Sequence, residues 1–410
     1  MPRLSRRNLL AIGAVSPLVA ACGSTGSGEK RHVAVIGAGI IGASIAYHLA
    51  KGGAQVTVIE RHDIATRASR GTFAWLNATW AKQPRNYHRL NQLGLAAWQE
   101  LEAEIGIPIK WGGSLEWFGG AERQELLGAQ IAEQAEWGEP ARMIGPQELA
   151  SLEPQVVFGG AQSVAYSPND GALDPVLAAR TLLNEAQALG AVLKTNCAVT
   201  GARAGSMGAE AVLETDQGDL EVDSYVLATG ADPEATQALA GIDIPQRSTP
   251  GVIVVTQPMA PMLGRILVAP GVHVHQRLDG RVVLGEQDGA PQNEAHAARL
   301  ADRPNAFPTR ALAEEHAARI LAIAQAYLPA LADAATEDVF IGWRPLPLDG
   351  HPVMGFSPQR PKAYLAITHS GVSLAPILGR LAAQELLEET TASMLEPYRP
   401  DRAFEEVRRY

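Results

Sequence analysis

Two short apolar runs, His32–Ile36 and Gln55–Glu60, are rich in β-branched residues. They flank a glycine turn (Gly37–Gly42) and a helix-like stretch, Ala43–Gly52, so the pattern predicts strand, turn, helix, strand. Leu90, Leu93, Ala97, Leu101 and Ile105 recur at helical spacing, and Gly106 follows where a C-cap belongs. Glu122–Trp137 reads as a further helix. Asp174-Pro175 combines an N-cap with proline at the first helical position, opening a helix that stops at Gly190. Strands are expected at Ala191–Thr195, Ala211–Thr215 and Tyr225–Ala228. Gly251–Thr256, Val272–Arg277 and Arg281–Gly285 read as antiparallel strands, the last two joined at Asp279-Gly280. Helices are expected at Arg310–Tyr327 and Leu374–Glu389. A nucleotide-type fold at both ends with a strand-rich middle predicts two interleaved domains.

The first residues have a different pattern. Arg3, Arg6 and Arg7 precede an apolar run, Leu9–Ala21, that is too short to span a bilayer. "SRRNLL" resembles a twin-arginine signal and "LVAAC" resembles a lipobox, with Cys22 as the lipidated residue. "GSTGSGEK" (23–30) reads as a flexible tether. The expectation is a folded, cofactor-loaded protein exported to the periplasmic side of a bacterial membrane and held there by its lipid.

Composition changes this picture little. The 410 residues suffice for two domains, and the hydrophobic (46%) and charged (19%) fractions are those of a globular protein. A formal charge of −10 argues against a nucleic-acid partner. Two cysteines, Cys22 and Cys197, cannot build a zinc site or a disulfide framework, and no metal is expected.

Gly37-x-Gly39-x-x-Gly42 lies between a predicted strand and helix. Gly37 permits the tight turn, Gly39 lets backbone approach a diphosphate, and Gly42 lets the helix pack close to the strand. The diphosphate would sit at the helix N-terminus, where free N–H groups favour negative charge. Glu60 ends the second strand, where a carboxylate accepts from ribose hydroxyls and repels a 2′-phosphate. The glycine triplet alone does not separate FAD from NAD.

Further motifs do. They are "ASRGTFAWLNA" (68–78), "DP" (174–175), "ATGA" (228–231), "RPLPLDGHP" (344–352) and "HSGVSLAP" (369–376). In this order they resemble the D-amino-acid oxidase superfamily, with its glycine oxidase, sarcosine oxidase and D-amino-acid dehydrogenase branches, over roughly residues 31–395. The resemblance implies an α/β fold. A split Rossmann-like FAD-binding domain (31–80, 145–235 and 340–395) is interleaved with an α+β substrate domain (81–144 and 236–339) on a mixed, largely antiparallel sheet. Residues 396–410 form a C-terminal tail. It implies oxidation of a C–N bond by hydride transfer to flavin N5. It also implies roles for residues. Gly37, Gly39, Ile40, Ile41, Gly42, Glu60 and Arg61 hold the ADP half. Ser69 and Thr72 lie near the diphosphate and flavin, Val199 and Gly230 near adenine, and Gly371, Val372, Ser373 and Leu374 along the flavin edge. The FAD is non-covalent, since no cysteine lies near either C-terminal motif.

Arg344 is the expected grip for a substrate carboxylate, its planar fork matching that anion; pairing with an acid such as Asp349 is the structural alternative. His273, His275 and Arg277 alternate along one strand and share a face. His273 and His275 could orient a substrate or belong to a polar edge, and His369 carries the same two readings. No lysine occurs between Lys194 and Lys362, which leaves the oxygen-activating lysine of the sarcosine oxidase branch without a counterpart. A dehydrogenase passing electrons to a quinone or another carrier is therefore expected, acting on a small amine such as a D-amino acid, glycine or an N-methyl or cyclic amino acid. A non-catalytic flavin-bearing lipoprotein and an NAD-dependent Rossmann dehydrogenase remain as alternatives.

Overall fold

The computed structural model describes residues 30–79, 82–205, 209–286 and 303–406; Cys22 and the arginine pair lie outside them. Arg31–Tyr410 form one compact unit.

Its first layer is a six-stranded sheet in the order Val353–Phe356, Ala363–Ile367, Ser224–Leu227, His32–Ile36, Gln55–Ile59, Val192–Lys194. All pairings are parallel except that of the first two strands. His32–Ile36 is central and its apolar run is buried on both faces, as a parallel strand covered by helices must be. Helix Ile40–Lys51 packs between helices Pro175–Ala188 and Gly371–Glu388. Asp174 opens helix Pro175–Ala188 as expected, its carboxylate accepting from the N–H groups of Val176 (2.9 Å) and Leu177 (3.0 Å).

Helix Gly371–Glu388 contains Pro376, which has no N–H to give the carbonyl of Val372. The indole N–H of Trp98, from helix Arg85–Ile105, donates to that carbonyl at 2.7 Å. The helix therefore runs on through the proline. Gly379 has no side chain where Ser44 crosses, which lets the two helices touch.

The second layer is an eight-stranded sheet in the order Thr336–Pro347, Gln246–Thr256, Val282–Glu286, Val272–Gln276, Ile266–Ala269, Ser114–Glu116, Val164–Ser167, Arg142–Ile144. It is antiparallel apart from the Ile266–Ala269 and Ser114–Glu116 pair. Val252, Val254, Val274 and Leu284 turn to helix Arg310–Gln325, meeting Ala317 and Ile320. Ile253, Val255 and Val283 turn the other way, onto Phe73 and Phe340. That second face is the one presented to segment 68–78.

Three expectations change. Val164–Ser167, placed by sequence in the cofactor domain, pairs inside the eight-stranded sheet; four residues are too few for periodicity to assign. Thr336–Pro347, which carries Arg344, is a long strand that no pattern announced, because Pro345 and Pro347 argue against one. It is tolerated at the edge of the sheet, where a missing N–H breaks no ladder. The last long helix begins at Gly371 rather than Leu374.

Trp98→Phe should leave the Val372 carbonyl buried without its donor. A loss of about 1–3 kcal/mol is expected, read as a lower urea midpoint with unchanged slope; an unchanged midpoint would show that the helix satisfies this carbonyl by other means.

Candidate functional site: a dinucleotide cleft under a mixed sheet

A cleft opens at the carboxyl ends of the parallel strands, where open α/β sheets bind ligands. Of the residues singled out from sequence, Gly37, Gly39, Ile40, Ile41, Glu60, Arg61, Ser69, Thr72, Val199, Gly230, His369, Gly371 and Val372 line it. Gly37 has φ +107, a conformation open to glycine, and a Cβ there would meet the carbonyl oxygen of Ala228. Gly42 lies behind the cleft; a Cβ on it would overlap the Gly37 carbonyl oxygen, so its role is helix-to-strand packing as expected. At the mouth of the motif the Ser69 hydroxyl accepts from Ile40 N at 3.0 Å, the first N–H of the helix.

Glu60 is held by two backbone donors, Ala38 N and His62 N, both at 2.9 Å. Arg61 pairs with Asp232, whose carboxylate also caps helix Pro233–Ala240 through Ala235 N at 2.9 Å. This end of the cleft thus carries an acid and a fixed cation, the chemistry of an adenosine ribose site. At the far end the buried hydroxyl of Thr368 lines the cleft and has no partner among the described residues. Helix Gly371–Glu388 starts beside it with no acid in its first turn. A long dinucleotide with an electron-rich ring at that end fits these groups: acid and backbone at the ribose, N–H groups at the diphosphate, a helix N-terminus and an orphan hydroxyl at the ring.

Ser373 and Leu374 correct the expectation. Because the helix already starts at Gly371, they point inward. Ser373 Oγ accepts from Asn77 N (3.0 Å) and donates to Trp75 O (3.2 Å), and Leu374 is fully buried in the core. Cys197 is a buried free thiol, packed in the core at the edge of the cleft.

On the sheet above, Arg344 pairs with Thr249, while His273 and His275 pair with Gly285 and Val283. Register puts all three on the face toward segment 68–78, but two strands separate Arg344 from the histidines. They share a wall rather than a cluster. The Arg344 guanidinium lies over Gly251, which offers no Cβ to displace it, and Nη1 donates to Pro250 O at 3.1 Å. Asp349, its expected structural partner, is instead gripped by Arg402 at 2.8 and 3.1 Å. His275 is buried, with Nε2 2.9 Å from Phe73 O. Burial, with Arg277 nearby, pushes its pKa down to about 3, so it stays neutral. His273 is half-buried and sits edge-on to Phe73 (5.3 Å) and Trp75 (6.3 Å). Arg277 turns to Asp174 at 2.8 Å.

Sequence reasoning missed several groups. Arg67, Arg303, Asn305 and Trp343 line the cleft, the last three delivered from the substrate side, with no local motif. Asp170 is fully buried, and its Oδ2 accepts from Trp75 Nε1 (2.8 Å) and Ser114 Oγ (2.7 Å).

The fold and cleft define a dinucleotide-dependent redox protein. The chain belongs to the FAD dependent oxidoreductase family, whose model matches residues 32–385, and its cofactor is FAD rather than a nicotinamide. The chain is 26% identical over 389 residues to glycine oxidase of Geobacillus kaustophilus, covering 90% of this chain and 96% of that one. It is 28% identical over 380 residues to 4-methylaminobutanoate oxidase (formaldehyde-forming) of Paenarthrobacter nicotinovorans, covering 87% of this chain but 43% of the relative. The fold is shared with L-proline dehydrogenase from P. horikoshii, at a TM-score of 0.77 and 23% identity over 91% of this chain and 97% of that one.

Burial raises the Asp170 carboxyl to about 7 and pushes Glu116 well above the usual carboxylate range. Between the unfolded value near 4 and the folded value, the folded chain holds a proton that the unfolded chain has released. Stability from this group is therefore lost as pH rises across that window. Asp170→Asn should make the fall in Tm between pH 5 and pH 8 shallower; an equal slope in both proteins would assign the loss to other groups.

Proposed function

We propose that this FAD-dependent oxidoreductase oxidises the C–N bond of a small amine that bears a carboxylate, and passes the electrons to a carrier other than oxygen. The observation that carries the reading is Arg344. It is a half-buried guanidinium on the sheet face that looks toward segment 68–78, laid flat over Gly251. Asp349, the acid offered by the sequence as a structural partner, is bonded to Arg402. Glycine oxidase and 4-methylaminobutanoate oxidase among its relatives act on such molecules by name.

In this reading Arg344 binds the carboxylate through paired charge-assisted hydrogen bonds. Phe73, Trp75 and His273 wall the reacting carbon and exclude water from it. The amine binds neutral, its ammonium proton released to solvent, and the C–N bond becomes C=N as the carbon gives up a hydride, two electrons and a proton together. Bound FAD supplies the two-electron acceptor. The dehydrogenase assignment is supported by the absence of lysine between Lys194 and Lys362. Export and lipidation at Cys22 belong to the same proposal, supported by the order of arginine pair, apolar run and small-residue cysteine site.

Residues 29–410 would be titrated anaerobically with D-amino acids, glycine, sarcosine and the proline isomers while the flavin band is followed. One class should bleach it, and air should restore the colour slowly. Arg344→Leu should keep its FAD and raise KM for that substrate by about 10–100-fold, as loss of a charged hydrogen-bond pair implies. A flavin bleached by dithionite and by no amine would instead support a non-catalytic flavoprotein. Incorporation of a labelled fatty acid that Cys22→Ser abolishes would establish the anchor; equal labelling of both would remove it.

A further inference from the structure

Segment 303–305 enters the cofactor cleft from the substrate side and is fastened on three sides. Ile341 N donates to Asn305 O at 3.1 Å, and Trp343 Nε1 donates to Pro304 O at 3.0 Å, tying the segment to the edge strand of the large sheet. Arg303 Nη1 reaches the Ala231 carbonyl at 3.4 Å, beside the helix that Asp232 caps. The Asn305 side-chain oxygen, with the amide turned so that both its ends are satisfied, accepts from Arg67 Nη1 (3.0 Å) and Nε (3.1 Å).

Arg67 is the unusual member. Its third contact is His62 Nε2 at 2.7 Å. Neither partner is a carboxylate, and among the described residues no carboxylate bonds it. Arg61 and Arg303, by contrast, have Asp232 and Glu234 as acidic neighbours. Arg67 lines the cleft two residues before Ser69, whose hydroxyl meets the first N–H of the glycine-motif helix. An uncompensated guanidinium is thus held in a fixed plane on the wall where a dinucleotide's diphosphate lies. Its fork matches phosphate oxygens.

We propose that Arg67 is the cation that neutralises the FAD diphosphate, and that Asn305 is the positioning residue that aims it. The 303–305 strap makes cofactor retention depend on the docked position of the substrate-side sheet. The inference rests on FAD as cofactor and not on the amine substrate, so it stands or falls separately from the role of Arg344.

The test reads cofactor binding rather than turnover. FAD would be removed and re-added to the full-length protein, with Kd and release rate followed by flavin fluorescence at 50 and 500 mM salt. Arg67→Met should weaken FAD by about tenfold or more at low salt, as loss of a charged contact predicts, and flatten the salt dependence. Arg67→Lys should restore the salt dependence and only part of the affinity. Asn305→Asp keeps an acceptor for Arg67 but cancels its charge, so it should behave like Arg67→Met. Asn305→Ala should release FAD faster while keeping the salt dependence. Arg203→Ala, an exposed arginine paired with Asp219 away from the cleft, is the control, and the thermal midpoint of each apo-protein checks folding. Wild-type salt dependence in both Arg67→Met and Asn305→Asp would overturn the proposal, as would an Asn305→Ala release rate equal to wild type.

Discussion

The segment from Ser69 to Asn77 is where the two layers of this molecule are joined, and the site exists only because that join is tight. The segment crosses between helix, sheet and cofactor cleft. Its buried polar groups each need a partner. Ser69 takes the first N–H of the glycine-motif helix, the Phe73 carbonyl meets His275, the Trp75 indole donates to Asp170, and Asn77 N donates to Ser373. At Gly71 and Gly342 the crossing backbones touch so closely that a Cβ on either would collide with the other. One strand of chain thereby sets the distance between the cofactor cleft and the sheet that bears Arg344.

That join explains what was legible in the sequence and what was not. Elements governed by local physics were readable. The buried strand His32–Ile36 shows in its β-branched run, the Asp174 cap in its Asp-Pro pair, and the end of helix Arg85–Ile105 in Gly106, which is left-handed as a C-cap glycine should be. The adenosine half of the cleft was readable for the same reason, since one βαβ unit supplies most of it. The strand of Arg344 was not, because its prolines contradict a strand until its place at a sheet edge is known. Arg303 and Asn305 lie far along the chain from the glycine motif they face. No periodicity marks them, because their role is set by the docking of one layer on another. His275 was legible as one of an alternating pair, but its burial was not; that depends on Phe73 covering it.

Charge is arranged against the average of the molecule. The chain carries a net −10, which on its own would repel a dinucleotide. Much of that acid is spent locally: Asp232 on Arg61, Asp349 on Arg402, Glu385 on Arg399. The cleft wall retains a guanidinium, Arg67, that no carboxylate bonds among the described residues, and two helix N-termini. At the short range that matters for bound FAD these outweigh a diffuse surface charge screened within about 10 Å.

The division of labour between layers also bears on specificity. The cleft layer contributes backbone, glycine and helix ends, groups that cannot change without loss of the fold. The sheet contributes Arg344 on Gly251, His273 against Phe73 and Trp75, and an edge strand that tolerates proline. A side chain placed on Gly251 would move the guanidinium, and a change at His273 would alter the aromatic wall, neither touching the glycine motif. The cofactor cleft is therefore built mostly from the rigid, locally determined part of the molecule, with Arg303, Asn305 and Trp343 reaching it from the sheet side. In the proposed function the substrate meets a sheet whose exposed face can vary, and the Ser69–Asn77 segment joins that sheet to the cofactor cleft.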